Sequence, residues 1–161
     1  MVIEKPIIVI DTREKQPWCW DHDDEFGGVL YEKLDGGDYS IKGLEHLIVI
    51  ERKASVDELY MNFTHDKERI KDEFERLRDH MFKILIIEQT FEDVMNPNKY
   101  YVNKKGINRH SPKMPIAVVT SNLTNLMLQE NVHVIFGGSR AQAMAKGILL
   151  RVHELNRKGQ L

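Results

Sequence analysis

Apolar residues come in short blocks near the start of the chain, and in longer stretches with three- and four-residue spacing further on. Residues 6–11 (PIIVID) are a compact run rich in β-branched side chains, which predicts a buried strand. TREKQPW ends it, because Pro17 cannot continue a ladder. VLYEKL (29–34) alternates apolar and polar positions and predicts a second strand, while GGDYSI and HLIVIER predict a hairpin around Gly43. Ser55 and Glu58 have the spacing of a capping box and place a helix start at Val56. From His65 to Met81, Ile70, Phe74, Leu77 and Met81 form one apolar stripe and predict a single amphipathic helix. FKILIIE (82–88) reads as the next buried strand and FEDVM as a short helix. Residues 96–115 hold three of the five prolines and no period, which predicts a loop. IAVVTSNLTNLMLQE predicts a helix ending before Asn131, VHVIF a strand, and Ser139 the N-cap of a closing helix over 140–157. Strands first, then alternating helix and strand, predict an α/β fold: a central mixed β-sheet flanked by helices on both faces.

Composition narrows the class. A chain of 161 residues, 42% hydrophobic and 30% charged, fits a single domain over 1–161 with a real core. The aliphatic runs are too short to span a bilayer, and the N-terminus lacks the apolar core of a secretory signal, so no membrane partner is expected. The lone Cys19 excludes an internal disulfide framework and points to a reducing, intracellular compartment, cytoplasmic or nucleoid/nuclear. A net charge of −2 means that any nucleic-acid face must be local.

One patch of chemistry stands out. The run Leu47–Ile50 closes on Glu51-Arg52-Lys53, with Asp38 before it and Asp57 after it. Strand alternation puts Glu51 and Lys53 on one face and Arg52 on the other. A hairpin turning near Leu44-Glu45 sets Asp38 opposite Glu51, at the roughly 4.5–5.5 Å spacing of cross-strand pairs. Carboxylates this close repel each other, and a divalent cation or bound protons relieve the strain. Oxygen ligands of this kind suit Mg²⁺ or Mn²⁺, and an adjacent lysine can hold an attacking water or neutralise charge on a phosphate. The same residues also fit a solvated, charged strand end.

GDYSI followed by VIERKASVDEL resembles the GDxₙERKx₃D motif of the XPF-type structure-specific endonucleases, matching at Gly37, Asp38, Glu51, Arg52, Lys53 and Asp57. VIDTRE (Val9 to Glu14) is similar to that family's strand ending in D-x-R-E, HDKERIKDEFERL to its helix with a basic residue at Arg69, and ILIIE to the strand that follows. The resemblance covers roughly residues 6–150. It implies a restriction-endonuclease-like core that cleaves flaps, forks and related junction DNA with Mg²⁺ or Mn²⁺. It implies Asp38 and Glu51 as principal metal ligands supported by Asp57, and Lys53 as the residue that positions the nucleophile. Arg52 would contact phosphate or fix the acidic cluster, and Asp11, Arg13 and Glu14 would flank the site. Larger members carry a tandem helix-hairpin-helix domain, which this sequence lacks. DNA grip would then come from a homodimer or a DNA-binding partner protein. Readings left open are a nuclease without branch preference and a non-catalytic DNA-binding or scaffold subunit.

The 96–115 segment is basic and aromatic. Lys104 and Lys105 could contact phosphates and Tyr100 or Tyr101 stack on an unpaired base, or the segment could be a solvated connection. Arg69 is a further DNA-binding candidate. Trp18 and Trp20 read as core residues, and Cys19 as a structural thiol.

Overall fold

Residues 4–64, 67–96 and 116–161 are described by the computed structural model. Strands β1 (Ile7–Asp11), β2 (Gly28–Glu32), β3 (Tyr39–Ile41), β4 (Ile48–Lys53), β5 (Phe82–Ile87) and β6 (Val132–Phe136) form one sheet in the order β2-β1-β3-β4-β5-β6. β3 runs antiparallel to both its neighbours, and every other pair is parallel. The mixed sheet expected from sequence is therefore present. Because β3 alone is reversed, the residue just before it, Asp38, lies beside the end of β1 and the second half of β4, with Tyr39 paired to Ile10 and Ile50.

Alternation along the strands divides the core in two. Ile8, Ile10, Tyr39, Ile41, Ile48, Ile50, Ile84 and Ile86 pack with Trp18, Trp20 and Phe26, beneath the helix α5 (Ala141–Arg157). On the opposite face Val49, Leu85, Ile87 and Val132 pack against α1 (Val56–Thr64), α2 (Lys67–Arg76) and α4 (Ile116–Gln129). The short helix α3 (Phe91–Met95) buries Val94 in the same cluster and closes its own start with a Thr90–Asp93 capping box. A fully buried Leu or Ile contributes about 1.5–3 kcal/mol, so the two layers hold the sheet from both sides. Helices on both faces, as the patterning predicted, follow from this split.

Three details differ from the sequence reading. The segment expected as one helix from His65 to Met81 is described as helix only over Lys67–Arg76, and it ends in a turn at Leu77–Asp79, so Met81 is exposed while Ile70, Phe74 and Leu77 are buried. The closing helix starts at Ala141 behind a 3₁₀ turn (Gly138–Arg140), and Ser139 lies inside that turn rather than at the cap. Cys19 is exposed rather than packed, whereas Trp18 and Trp20 on either side of it are core residues. Residues 97–115, with the basic segment, lie outside the described residues.

The link into β3 is backbone-limited. Gly37 has φ +73°, and a Cβ there would lie 2.2 Å from Cγ2 of Val49. Gly37→Ala should therefore cost about 2–4 kcal/mol, from left-handed strain plus overlap. Gly147, mid-α5, has nothing within 4 Å of a built Cβ. Gly147→Ala should gain about 0.5–1 kcal/mol. Denaturant unfolding of the two variants measures both signs; equal effects would contradict the packing described.

Candidate active site

Five chain segments converge where β3 begins and β1 and β4 end, the other two being the first turn of α1 and the middle of α2. Their side chains line a cleft of about 420 Å³ that includes Asp11, Arg13, Asp38, Glu51, Lys53 and Glu73. The Tyr39–Ile50 pairing continues one residue outward: the Asp38 N–H donates to the Ile50 carbonyl at 2.8 Å, and the Arg52 N–H donates to Asp38 Oδ2 at 2.7 Å. On β1's side, the Asp11 N–H donates to the Asp38 carbonyl at 2.9 Å. Asp38 is thus fixed through both backbone groups and its side chain.

Glu51 and Lys53 share the α1/α2 face of β4 and form an ion pair there, Lys53 Nζ on Glu51 Oε1. Both are nearly inaccessible, with relative exposures of 7% and 6%. Burial pushes the Glu51 carboxyl up to about 8, reinforced by Asp38 and opposed only in part by Lys53. Burial likewise raises Asp38 to about 7, against the Arg52 N–H and Lys53, with Glu14 and Glu73 adding repulsion. Burial alone would depress Lys53, but Glu51, Glu58 and Asp38 together raise it, so it stays an ammonium. The result is a lysine cation between two carboxyl groups that resist ionising together.

Asp11 has a different role in the geometry. Its Oδ1 accepts from the backbone N–H and Nε of Arg13, both at 2.7 Å, and its Oδ2 from Arg13 Nη2 at 2.9 Å and the Leu34 N–H at 2.7 Å. Burial would raise its pKa, yet these bonds leave it below the ordinary value. With its lone pairs so engaged, Asp11 anchors Arg13, whose side chain stays 56% exposed at the cleft. Glu14 lies 3.7 Å from Arg52 and, like Lys15 and Gln16, lines the same wall.

Arg52 points to the other face, as alternation requires. Its Nε donates to Glu88 Oε1 at 2.9 Å and its Nη2 to Glu88 Oε2 at 3.2 Å, while the guanidinium lies 5.1 Å from the Trp18 ring centroid. The Trp18 indole N–H also donates to Glu88, its backbone N–H donates to the Tyr39 hydroxyl at 3.0 Å, and its ring stacks on Tyr39 at 4.7 Å. This cluster staples the Thr12–Trp18 segment onto the strand ends.

The structure therefore brings together Asp11, Arg13, Glu14, Asp38, Glu51, Arg52 and Lys53. Asp57, half-buried in the first turn of α1, is not among the cleft-lining residues, while its neighbour Glu58 is, 3.6 Å from Lys53 Nζ. Glu58 was visible in the sequence only as half of a capping box, and its N–H does donate to Ser55 Oγ at 3.1 Å. Lys15 carried no motif, Glu73 lay within HDKERIKDEFERL without being singled out, and Glu88 showed only as the last residue of ILIIE. Lys104, Lys105, Tyr100 and Tyr101 lie outside the described residues, as does the side chain of Arg69.

Among the described residues, no three His, Cys, Asp or Glu side chains form a ready cation cage. The pair Asp38 and Glu51 nevertheless fits a Mg²⁺-type ion, which takes one or two carboxylates and keeps several waters. Six acidic and four basic side chains line the cleft, an excess of two negative charges when all are ionised.

The ERCC4 domain model matches residues 10–145. The chain belongs to the ERCC4 domain family. That is a family of structure-specific DNA endonucleases. No curated protein matches the sequence. Among solved structures the chain is similar to XPF from Aeropyrum pernix, with 17% identity and a TM-score of 0.62, over 96% of this chain and 69% of that one. It is also similar to the XPF from Aeropyrum pernix in complex with DNA, with 16% identity and a TM-score of 0.61, over 93% and 66% of the two chains. The shared fold is restriction-endonuclease-like. Among the described residues, no helix is long and apolar enough to cross a membrane.

The raised carboxyls fix the direction of a pH effect. Asp38 and Glu51 stand at about 7 and about 8 when folded, above their unfolded values of 3.8 and 4.5. Between about pH 4 and pH 8 the folded chain holds protons that the unfolded chain has released, so cation-free stability falls as pH rises through that window. The double variant Asp38→Asn/Glu51→Gln removes both titrations. It should melt above wild type at pH 8 and converge with it near pH 4, each ~1 kcal/mol of relieved repulsion adding roughly 2–4 °C. Thermal unfolding in chelator across that range tests this; a variant that melts no higher than wild type at pH 8 removes the basis for the repulsion.

Proposed function

We propose that this chain is a Mg²⁺- or Mn²⁺-dependent endodeoxyribonuclease that hydrolyses phosphodiester bonds at branched or single-strand/double-strand junctions. The observation that carries the reading is the Asp38–Glu51–Lys53 cluster, three ionisable groups together at the floor of an open cleft, Glu51 and Lys53 buried and Asp38 half-buried. A structural ion pair has no use for the second carboxylate, which makes the pair less stable. A phosphodiesterase does, because the excess negative charge attracts a cation.

In this reading Asp38 and Glu51 hold the ion, which neutralises charge at the scissile phosphate and makes a water more acidic. Lys53, held as an ammonium by Glu51, orients the attacking water and stabilises charge on the phosphate oxygens in flight. Arg13, anchored by Asp11 and still open to the cleft, binds a phosphate beside the cut, and Lys15 a further one. The fixed backbone of Asp38 keeps its carboxylate in place without reorganisation. Grip on the DNA is assigned to Lys104 and Lys105, with Tyr100 and Tyr101 stacking on unpaired bases.

A panel of labelled flap, fork, four-way junction, nicked, linear duplex and single-stranded DNA tests the proposal with Mg²⁺ or Mn²⁺. Junction substrates should be cut and excess EDTA should stop it. Asp38→Asn, Glu51→Gln and Lys53→Ala should each slow cutting by about a hundredfold or more, while DNA affinity measured in chelator, without a divalent ion, stays near wild type. Equal cutting of linear duplex would remove the branch preference. Wild-type rates for Asp38→Asn would remove the site, and binding without any cutting would favour a non-catalytic subunit.

A further inference from the structure

We infer that Glu73, on α2, is a positioning residue that holds the glycine turn delivering Asp38 to the cleft. The inference rests on the nuclease reading above for its functional consequence, and on geometry for the rest. Glu73 Oε1 accepts a hydrogen bond from the Gly37 N–H at 3.1 Å. Four residues on, one helical turn along the same face, Leu77 packs on the same turn: a Cβ built at Gly36 would lie 3.0 Å from Leu77 Cδ1. Beneath, Val49 and the Ile50 carbonyl leave Gly37 no room for a side chain. The turn is thus pressed between β4 and α2, and among the described residues its one side-chain acceptor from α2 is Glu73.

The bond has a consequence one residue away. Asp38 takes its register from β4 and β1 through its backbone, but its entry angle is set by the φ of Gly37, in a region only glycine occupies readily. A free Gly37 N–H would let that φ relax. The carboxylate acceptor also adds charge to a cleft already short of cations, since Glu73 repels both Asp38 and Glu51. An amide would make the same hydrogen bond without that repulsion. This contrast separates holding the turn from supplying charge.

The test uses Glu73→Ala and Glu73→Gln in the full chain, with two readouts. The first is hydrogen exchange at the Gly37 amide, which needs no activity: exchange should speed up about tenfold or more in the alanine variant and stay near wild type in the glutamine variant. The second is junction cleavage at saturating metal. The alanine variant should lose about ten- to a hundredfold in kcat with KM for DNA little changed, and the glutamine variant should recover most of it. Unchanged Gly37 exchange in the alanine variant overturns the inference. So does faster exchange with wild-type kcat, and so does a glutamine variant as slow as alanine, which would make the charge the working feature. If wild type cuts no DNA in the panel, the nuclease reading fails, and Gly37 exchange alone decides whether Glu73 holds the turn.

Discussion

Burying two carboxyl groups side by side costs more than any single contact near them returns. Asp38 and Glu51 face each other across the β3–β4 pair, Glu51 buried and Asp38 half-buried at the cleft, and neither ionises at its ordinary pH. The rest of the strand-end architecture can be read as the means of keeping them there. Lys53 offsets part of the charge on Glu51, and the Arg52 N–H and Lys53 offset part of that on Asp38. Backbone bonds from Asp38 to β4 and from β1 to Asp38 prevent the pair from moving apart. A fold selected for stability alone would place apolar side chains at these positions.

Strand alternation lets three consecutive charges do separate work. Glu51 and Lys53 face α1 and α2, where the cleft opens. Arg52, between them in sequence, passes through to the layer containing Trp18 and Tyr39 and pairs there with Glu88. The guanidinium fork suits this, since it can engage a carboxylate with two nitrogens while its face lies against an indole. A lysine at position 52 could pair with Glu88 but has no planar fork to engage both of its oxygens beside Trp18. The two faces are mechanically linked: the Trp18 cluster pins the chain that follows β1, and that chain supplies Arg13, Glu14 and Lys15 to the cleft.

What was legible in the sequence follows from locality. The convergence of Asp38, Glu51 and Lys53 needed only a two-residue period and one turn at Gly43, and both are properties of adjacent segments. The two-sided sheet was legible for the same reason, because each apolar run declared its own strand. Glu73 and Glu88 were not, because their roles depend on how α2 and β5 dock on segments some 36 residues earlier, as in the Gly37–Glu73 and Arg52–Glu88 bonds. The apolar stripe of α2 marked its buried face but gave no sign that a glutamate at its edge would reach a glycine amide. Glu58 was hidden differently: its capping role explained it fully, so its approach to Lys53 went unsignalled. Asp57 shows the converse. Its place in the motif is certain, yet the cleft wall at that level is formed by Glu58.

The charge balance of the cleft bears on how it could meet a polyanion. With more acids than bases on its walls, an ionised cleft repels DNA phosphate, and with Asp38 and Glu51 protonated it is near neutral but those two carboxyls cannot ligate a cation. Neither state alone suits phosphodiester chemistry. Under the proposed function, a divalent ion and a phosphate entering together would resolve both conflicts, since the ion would supply the charge that lets Asp38 and Glu51 ionise. Binding of the two would then be thermodynamically linked: whatever strengthened one would strengthen the other by the same factor. Under the proposed function, the unfavourable burial of Asp38 and Glu51 is what makes this linkage steep, because a pair already stable without a cation would gain little from capturing one.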